Sequence, residues 1–270
     1  MIVLNHPQGS DDWLRARLGV CTASRFSDAR GKLAKASKNG QAGDHNGDAI
    51  KYAWLLAVET IAGEPLDETF VTFPMRRGRE LEPQARAVYE ARTGAWVDEV
   101  SLILTDDERF GYSADGFRDD DGLIEIKCPM AADKLGAVWS SPETAHLEYI
   151  DQINGGLWIT GRKYCDLIVY CPWLAPVGKD LFVKRIYRNE AAIEALESDL
   201  VDFMRLVDAN LAVLRAPTKM TGRLKDEAPA TTPPWTDTYL PASSAAVTIT
   251  PSNVPAPKTT APADVLAPSF

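Results

Sequence analysis

Apolar positions recur at helical spacing in DDWLRARL, in AIKYAWLLAVETIAG and in NEAAIEALESDLVDFMRLVDANLAVL, and each reads as an amphipathic helix. The second closes at Gly63. Residues 74–92 keep the same period, with Pro74 at the start and Gly94 just past the end, the expected helix punctuation. Thr22 stands where an N-cap would open a further segment, ASRFSDARGKL, and another helix is predicted over 142–160. Elsewhere the period drops to two. VSLIL (100–104), a short piece at GYSADG (111–116) and LIEIKC (123–128) read as strands, as do KYCDLIVYC and DLFVKRIY further on. Helices interleaved with strands predict an α/β fold, a central mixed sheet flanked by helices.

The periodic pattern stops near Ala216. Within 228–270, 30 of 43 residues are Pro, Ala, Thr or Ser, and nine of the 18 prolines fall there. Such a stretch buries too little apolar surface to offset its ordering entropy. The expected division is a folded domain over 1–216 and a disordered tail over 217–270. No apolar run reaches the roughly 18 residues a membrane helix needs. The start, MIVLNHPQGSDDW, lacks the basic and apolar regions of a signal peptide, so a cytoplasmic protein is expected. Cys21, Cys128, Cys165 and Cys171 form no CxxC pair, which argues for buried free thiols over a zinc ribbon.

A net charge of −9 does not announce a nucleic-acid binder, but its distribution is uneven. Residues 1–40 carry seven basic side chains against three acidic ones, +4, and residues 217–270 sum to zero, so the middle holds −13. A locally basic edge on an acidic body suits phosphate gripped at one defined place.

The chemistry concentrates in one stretch, Ser113-Ala-Asp115-Gly-Phe-Arg-Asp-Asp-Asp-Gly-Leu-Ile-Glu125-Ile-Lys127-Cys-Pro129. Residues 118–122 are an Asp-rich segment ending in Gly, a turn signal between two extended pieces. In LIEIK, Glu125 and Lys127 share one face of the strand while Ile124, Ile126 and Cys128 share the other. A hairpin would return Glu125 towards Asp115 and bring two carboxylates and an ammonium onto one patch. That set suits phosphodiester hydrolysis with a hard divalent cation, Mg²⁺ or Mn²⁺, which prefers carboxylate oxygens, water and phosphate. The bland alternative is a solvated hairpin with scattered charge. Asp119, Asp120 and Asp121 read as the solvated turn itself. His6, His45 and His146 show no ligand spacing, and Arg76, Arg77 and Arg79 read either as DNA-backbone contacts or as a solvated helix start. The absence of GxxxxGK[ST] leaves no P-loop motor.

With those companions the hairpin resembles the PD-(D/E)xK nuclease core, and its surroundings resemble the lambda-exonuclease (YqaJ) family of phage recombination exonucleases. The resemblance runs in the family's order through Trp13, Arg17-Leu-Gly-Val-Cys-Thr-Ala-Ser24, Gly78-Arg-Glu-Leu-Glu82-Pro-Gln-Ala85, Ser113-Ala-Asp115-Gly, Glu125-Ile-Lys127-Cys-Pro129, Gln152-Ile-Asn154 and Trp158-Ile-Thr160. It implies a restriction-endonuclease-like fold. It also implies that Asp115, Glu125 and the Ile126 carbonyl ligate metal, with Glu82 completing the acidic cluster, and that Lys127 serves the attacking water by orienting it or helping to deprotonate it. Gln152 would position the water or the scissile phosphate, and Arg17, Ser24 and Ser113 would hold a terminal 5′-phosphate. An arginine fork beside hydroxyls is apt chemistry for that group. Asn154 departs from the family's second glutamine, so it stands outside the core site.

The resemblance further implies a Mg²⁺-dependent 5′→3′ exonuclease on linear duplex DNA. Such an enzyme releases mononucleotides and leaves a 3′ overhang for a single-strand annealing partner. A ring-shaped homotrimer threading DNA, in a bacterial or phage-infected cell, belongs to the same expectation. Two rivals stay open: another PD-(D/E)xK nuclease, as endonuclease or nuclease subunit, and a nonenzymatic DNA-end-binding protein on the same fold.

Overall fold

Apolar faces pair off around two sheets in the computed structural model, which describes residues 1–36, 38, 40–66 and 73–217, without the side chains of 73–75. The predicted tail lies outside these residues apart from Pro217. In chain order the elements are β1 (Ile2–Leu4), α1 (Asp11–Arg15), β2 (Cys21–Thr22), α2 (Phe26–Ala29), α3 (Gly47–Ala62), α4 (Phe73–Thr93), β3 (Val97–Asp98), β4 (Leu102–Leu104), β5 (Phe110–Ser113), β6 (Gly116–Arg118), β7 (Gly122–Lys127), α5 (Ala132–Ser140), α6 (Ile150–Thr160), β8 (Tyr164–Tyr170), β9 (Leu181–Tyr187) and α7 (Glu190–Arg215). They form an α/β fold, with two mixed sheets where the sequence suggested one. Among the described residues no helix is long and apolar enough to cross a membrane.

Capping fixes where the main helices begin. Asn46 accepts from the backbone of Asp48 and Ala49 at 3.1 and 3.0 Å to open α3, and Asn189 accepts from Ala192 at 3.1 Å to open α7. Gly63, at φ +70°, ends α3 in the left-handed conformation that favours glycine. Thr22 behaves otherwise than predicted. Its side chain makes no cap bond, and the segment after it breaks into a 3₁₀ turn, Ala23–Arg25, and the short α2. The predicted helix over 142–160 is also shorter. Bonds from Thr144 N to Ser141 O and from Leu147 N to Thr144 O span three residues and make successive turns, so helix proper starts at Ile150. Helix α5 and strand β1 were not foreseen.

The larger sheet runs β3-β6-β7-β8-β9, with β7 and β8 parallel and the other pairs antiparallel. Side-chain alternation splits its two faces between two cores. Leu123, Cys165, Leu167 and Val169 join the main core beneath α6 and α7, while Ile124, Ile126, Ile168 and Tyr170 pack with Leu81, Ala85 and Tyr89 of α4. The smaller sheet, β1-β4-β5-β2, covers α1 through Trp13, Val20, Leu102 and Leu104. Cys21, Cys165 and Cys171 are buried free thiols, and Cys128 is half-buried and free.

Helix α6 can lie close to α2 and to the strands because it carries two glycines. A Cβ on Gly155 would sit 2.4 Å from the Phe26 ring, and one on Gly156 would sit 2.8 Å from the Tyr112 ring. On the α4 face of the sheet, Asp166 is 1% exposed and accepts from the Tyr89 hydroxyl at 2.6 Å, Arg185 Nε at 2.7 Å and Arg118. Burial pushes its carboxyl up, but hydrogen bonds from Arg185, Tyr89 and Arg118 outweigh that and hold it below the usual carboxylate range.

Candidate active site

The hairpin β6–β7 pairs Gly116 with Ile124 and Arg118 with Gly122, which sets Asp115, just before β6, alongside the end of β7. There the ladder is taken over by a side chain: Asp115 Oδ2 accepts from Ile126 N at 2.6 Å. Glu125, 1% exposed, points into the main-core side of the sheet and each of its oxygens has a partner. Oε2 accepts from the Tyr112 hydroxyl at 2.9 Å, and Oε1 accepts from Gln152 Nε2 at 2.6 Å and faces Lys127 Nζ at 2.7 Å. Lys127 also donates to Gln152 Oε1 at 3.0 Å. The close approach of α6 that Gly156 permits is what brings Gln152 into reach.

Glu82 arrives from α4, half-buried, on the opposite flank. It accepts from Arg86 Nη2 at 3.1 Å, and the same nitrogen donates to the Asp115 carbonyl at 3.1 Å. Arg86 Nη1 lies 2.5 Å from Glu99. Sequence reasoning missed this arginine, although its position four residues after Glu82 on a helix was a usable signal. It also missed Tyr112, which alternation on β5 places inward, and Tyr149, whose ring lies 5.2 Å from Lys127 Nζ.

Charge crowding is the main electrostatic fact here. Burial, then Glu125, then Glu82 push the Asp115 carboxyl well above its ordinary range. Burial also raises Glu82, with Arg86 opposing and Glu125 adding to the rise. For Lys127, burial favours the neutral amine, but Glu125 and Asp115 more than offset it and hold the ammonium above its usual value. Among the described residues no three His, Cys, Asp or Glu side chains form a ready-made metal cage. Among the described residues the cations beside these three carboxylates are Lys127 and Arg86, which leaves a surplus of hard, negative oxygen. A divalent cation of the Mg²⁺ class fits that donor set. Beside it lies a cavity of about 550 Å³, whose lining includes Gly78, Glu82, Ile126, Lys127, Cys128, Met130 and Tyr149.

The other predicted group gathers beside the smaller sheet. Arg17 Nη1 donates to Ser113 Oγ at 3.3 Å, Nη2 donates to Thr22 Oγ1 at 3.5 Å, and Thr22 in turn lies 3.5 Å from Ser24 Oγ. The guanidinium lies 4.0 Å over the Trp13 ring. Arg17, Thr22, Ser24 and Arg25 line a cavity of about 250 Å³. Ser113 is two residues before Asp115, so one strand end links this pocket to the carboxylates. The basic excess of residues 1–40 is narrower in three dimensions than in sequence. Arg30 pairs with Asp151 at 2.7 Å and Asp199 at 2.6 Å, and Lys32 with Asp202 at 2.6 Å, partners more than 100 residues away that a local charge count ignores.

With the geometry established, comparison places the chain among known proteins. Residues 12–163 match the YqaJ-like viral recombinase domain. An alkaline exonuclease from Laribacter hongkongensis, LHK-Exo, is 33% identical, with a TM-score of 0.64 over 76% of this chain and 96% of that one. The same exonuclease in complex with dAMP superposes with a TM-score of 0.65 at 33% identity and the same coverage. A phage-related exonuclease from Haemophilus somnus 129PT, 14% identical, shares the fold with a TM-score of 0.57 over 72% of this chain and 96% of that one. No curated protein matches.

Proposed function

This chain belongs to the YqaJ-like viral recombinase domain family and is a DNA nuclease, and we propose that it is a divalent-cation-dependent 5′→3′ exonuclease acting on duplex ends. The observation that carries the reading is the cluster in which Glu125, Lys127 and Gln152 bond one another and Asp115 bonds the Ile126 amide between them, beside a cavity that Glu82 and Lys127 line. Asp115, Glu125, Glu82 and the Ile126 carbonyl would hold Mg²⁺ or Mn²⁺. The ion, when bound, supplies a Lewis acid that lowers the pKa of water and offsets charge on the transferring phosphoryl group.

The chain's own residues do the positioning. Gln152 and Tyr112 fix the Glu125 carboxylate in one orientation, and Arg86 ties the carbonyl of Asp115 to Glu82. Lys127, kept as an ammonium, aims a charged donor at the oxygens of a phosphate or of the attacking water. As an ammonium it acts as an electrostatic and orienting group, and accepting the water's proton would require the carboxylates' hold on its own proton to be weakened first. Arg17, Ser113 and Ser24 would take the terminal 5′-phosphate, which favours attack from the 5′ end. LHK-Exo has been seen with dAMP, a deoxynucleoside monophosphate, and mononucleotide release by this chain is the corresponding expectation. The family resemblance supports a ring-shaped homotrimer that hands its 3′ overhang to a single-strand annealing protein.

Duplexes labelled separately at each 5′ and 3′ end, digested with and without Mg²⁺, test the reading. Release of the 5′ label first as a mononucleotide is expected. Cleavage of a closed circle at a comparable rate would instead favour an endonuclease, and no cation-dependent release by wild-type protein would favour a binding module.

A further inference from the structure

We infer that Arg25 is a second phosphate ligand beside Arg17, and that it makes the pocket at the smaller sheet select a doubly charged terminal monoester over a singly charged diester. The inference rests on reading that pocket as a 5′-phosphate site, and it adds the residue that sets which phosphate is taken. Arg17, Thr22, Ser24, Arg25 and Tyr52 all line one cavity of about 250 Å³. That is below the roughly 300 Å³ at which sites for larger organic ligands begin, and it suits a small anion. Both guanidiniums are held in place. Arg17 is oriented by Ser113, Thr22 and Trp13. Arg25 lies 4.3 Å over the Tyr52 ring, and its Nε donates to Asp28 Oδ2 at 2.5 Å. Tyr52 is 3% exposed and its hydroxyl accepts from Thr22 N at 3.1 Å, so the ring beneath Arg25 is anchored to the residue whose side chain meets Arg17.

Formal charge sets what Arg25 adds. The charged side chains in the lining are Arg17, Arg25 and Glu59. Glu59 accepts from Leu66 N at 3.1 Å, beside Pro65 of the same lining. The charges of Arg17 and Glu59 cancel, so the net cation that attracts an anion here is Arg25. At neutral pH a phosphate monoester carries about −1.5 to −2, whereas an internal linkage carries about −1. A second guanidinium meets the additional charge. An internal linkage is the competitor that the pocket must refuse if cleavage is to start only at an end. An ion pair that merely steadies α2 would account for the Asp28 bond, but not for a guanidinium set over a buried ring in the lining of this cavity.

The test uses the full chain and three duplexes, alike except for a 5′-phosphate, its methyl ester with one charge, or a 5′-hydroxyl. Their terminal linkages are phosphorothioates, and affinity is read by fluorescence anisotropy in Mg²⁺. Wild type should bind them in that order of decreasing affinity. Arg25→Gln, which keeps a stem over Tyr52, should reduce the preference for phosphate over methyl ester about tenfold, the low end for a hydrogen bond to a charged group, because the Arg25 side chain is 38% exposed. The preference for methyl ester over hydroxyl, which Arg17 sets, should stay within about twofold, and Arg25→Lys should keep part of the first preference. Each preference compares two duplexes on one variant, so a smaller folded fraction cancels. An unchanged first preference in Arg25→Gln overturns the inference, as does an equal loss on all three duplexes, which would make Arg25 a support for α2. Wild type that binds all three alike rejects the pocket and the inference with it. Wild type that prefers phosphate to hydroxyl, with Arg25→Gln indistinguishable from it, rejects the inference alone.

Discussion

Replacing Arg17 by alanine should abolish preference for a 5′-phosphate and leave the hydrolytic machinery intact. The guanidinium is oriented from three sides, by Ser113 Oγ at 3.3 Å, Thr22 Oγ1 at 3.5 Å and the Trp13 ring at 4.0 Å. Those three partners are not the ones that hold Asp115, Glu125 and Lys127, which are Ile126, Tyr112 and Gln152. A hydrogen bond to a charged group contributes roughly 1.5–3 kcal/mol, so kcat/KM on a 5′-phosphorylated duplex should fall about 10- to 150-fold. On the matching 5′-hydroxyl duplex, where no terminal phosphate is present to be gripped, the change should stay within about threefold. Arg17→Lys should recover only part of the loss, since an ammonium keeps the charge but neither the fork nor the stack on Trp13. Both substrates would be run side by side under single-turnover conditions with each variant. An equal loss on the two duplexes would refute the assignment and make Arg17 a support for the Trp13 cluster instead.

Because the carboxyls of Asp115 and Glu82 are held above their ordinary range, their contribution opposes folding at neutral pH and is relieved as pH falls. Mg²⁺ at about 100 times its Kd should therefore stabilise the protein by roughly 2.7 kcal/mol in a thermal melt, and Asp115→Asn should lose most of that gain. Asp166→Asn leaves Arg118 and Arg185 facing a neutral group, which costs about 3–5 kcal/mol, or a Tm lower by about 6–20 °C. As the Asp166 carboxyl is depressed, its contribution is complete above about pH 4 and disappears as pH falls through its folded value, so the two melts should converge in acid. Gly156→Ala drives a methyl against the Tyr112 ring and should reduce both stability, by about 1–3 kcal/mol, and activity, since Tyr112 holds Glu125. Lys127→Arg, which keeps a donor and a charge, should retain clearly more single-turnover activity than Lys127→Met; equal inactivity of both would argue that a proton acceptor is needed.

How far the sequence could be read depended on the range of the forces involved. The hairpin was legible because its causes are local: an Asp-rich turn ending in glycine and a strict two-residue alternation that separates Glu125 and Lys127 from Ile124 and Ile126. Helices α3 and α7 were legible for the same reason, each with an asparagine cap and a long apolar stripe. The segment over 142–160 misled because Pro142 suits a helix start, yet three-residue bonds after Ser141 make turns that no periodicity announces. Of the strands of two or three residues, β4 falls within a predicted apolar run, whereas β1, β2, β3 and β6 exist only because a partner strand lies beside them. Arg30 and Lys32 are the electrostatic version of that lesson, since Asp151, Asp199 and Asp202 reach them only through the fold.

The state of Lys127 ties these levels together. An isolated lysine buried this far would favour the neutral amine, the form a general base requires. Here alternation on β7 puts Glu125 on the same face, the hairpin returns Asp115 to it, and the glycines of α6 let Gln152 approach, so the ammonium is the favoured form. A cation held by the carboxylates would offset part of the charge that keeps the proton on Lys127. The site thus couples two occupancies, metal on the carboxylates and proton on the lysine, through the Glu125 side chain they share. Any role for Lys127 in taking a proton is then conditional on the metal, whereas its role as a charged donor is built into the strand.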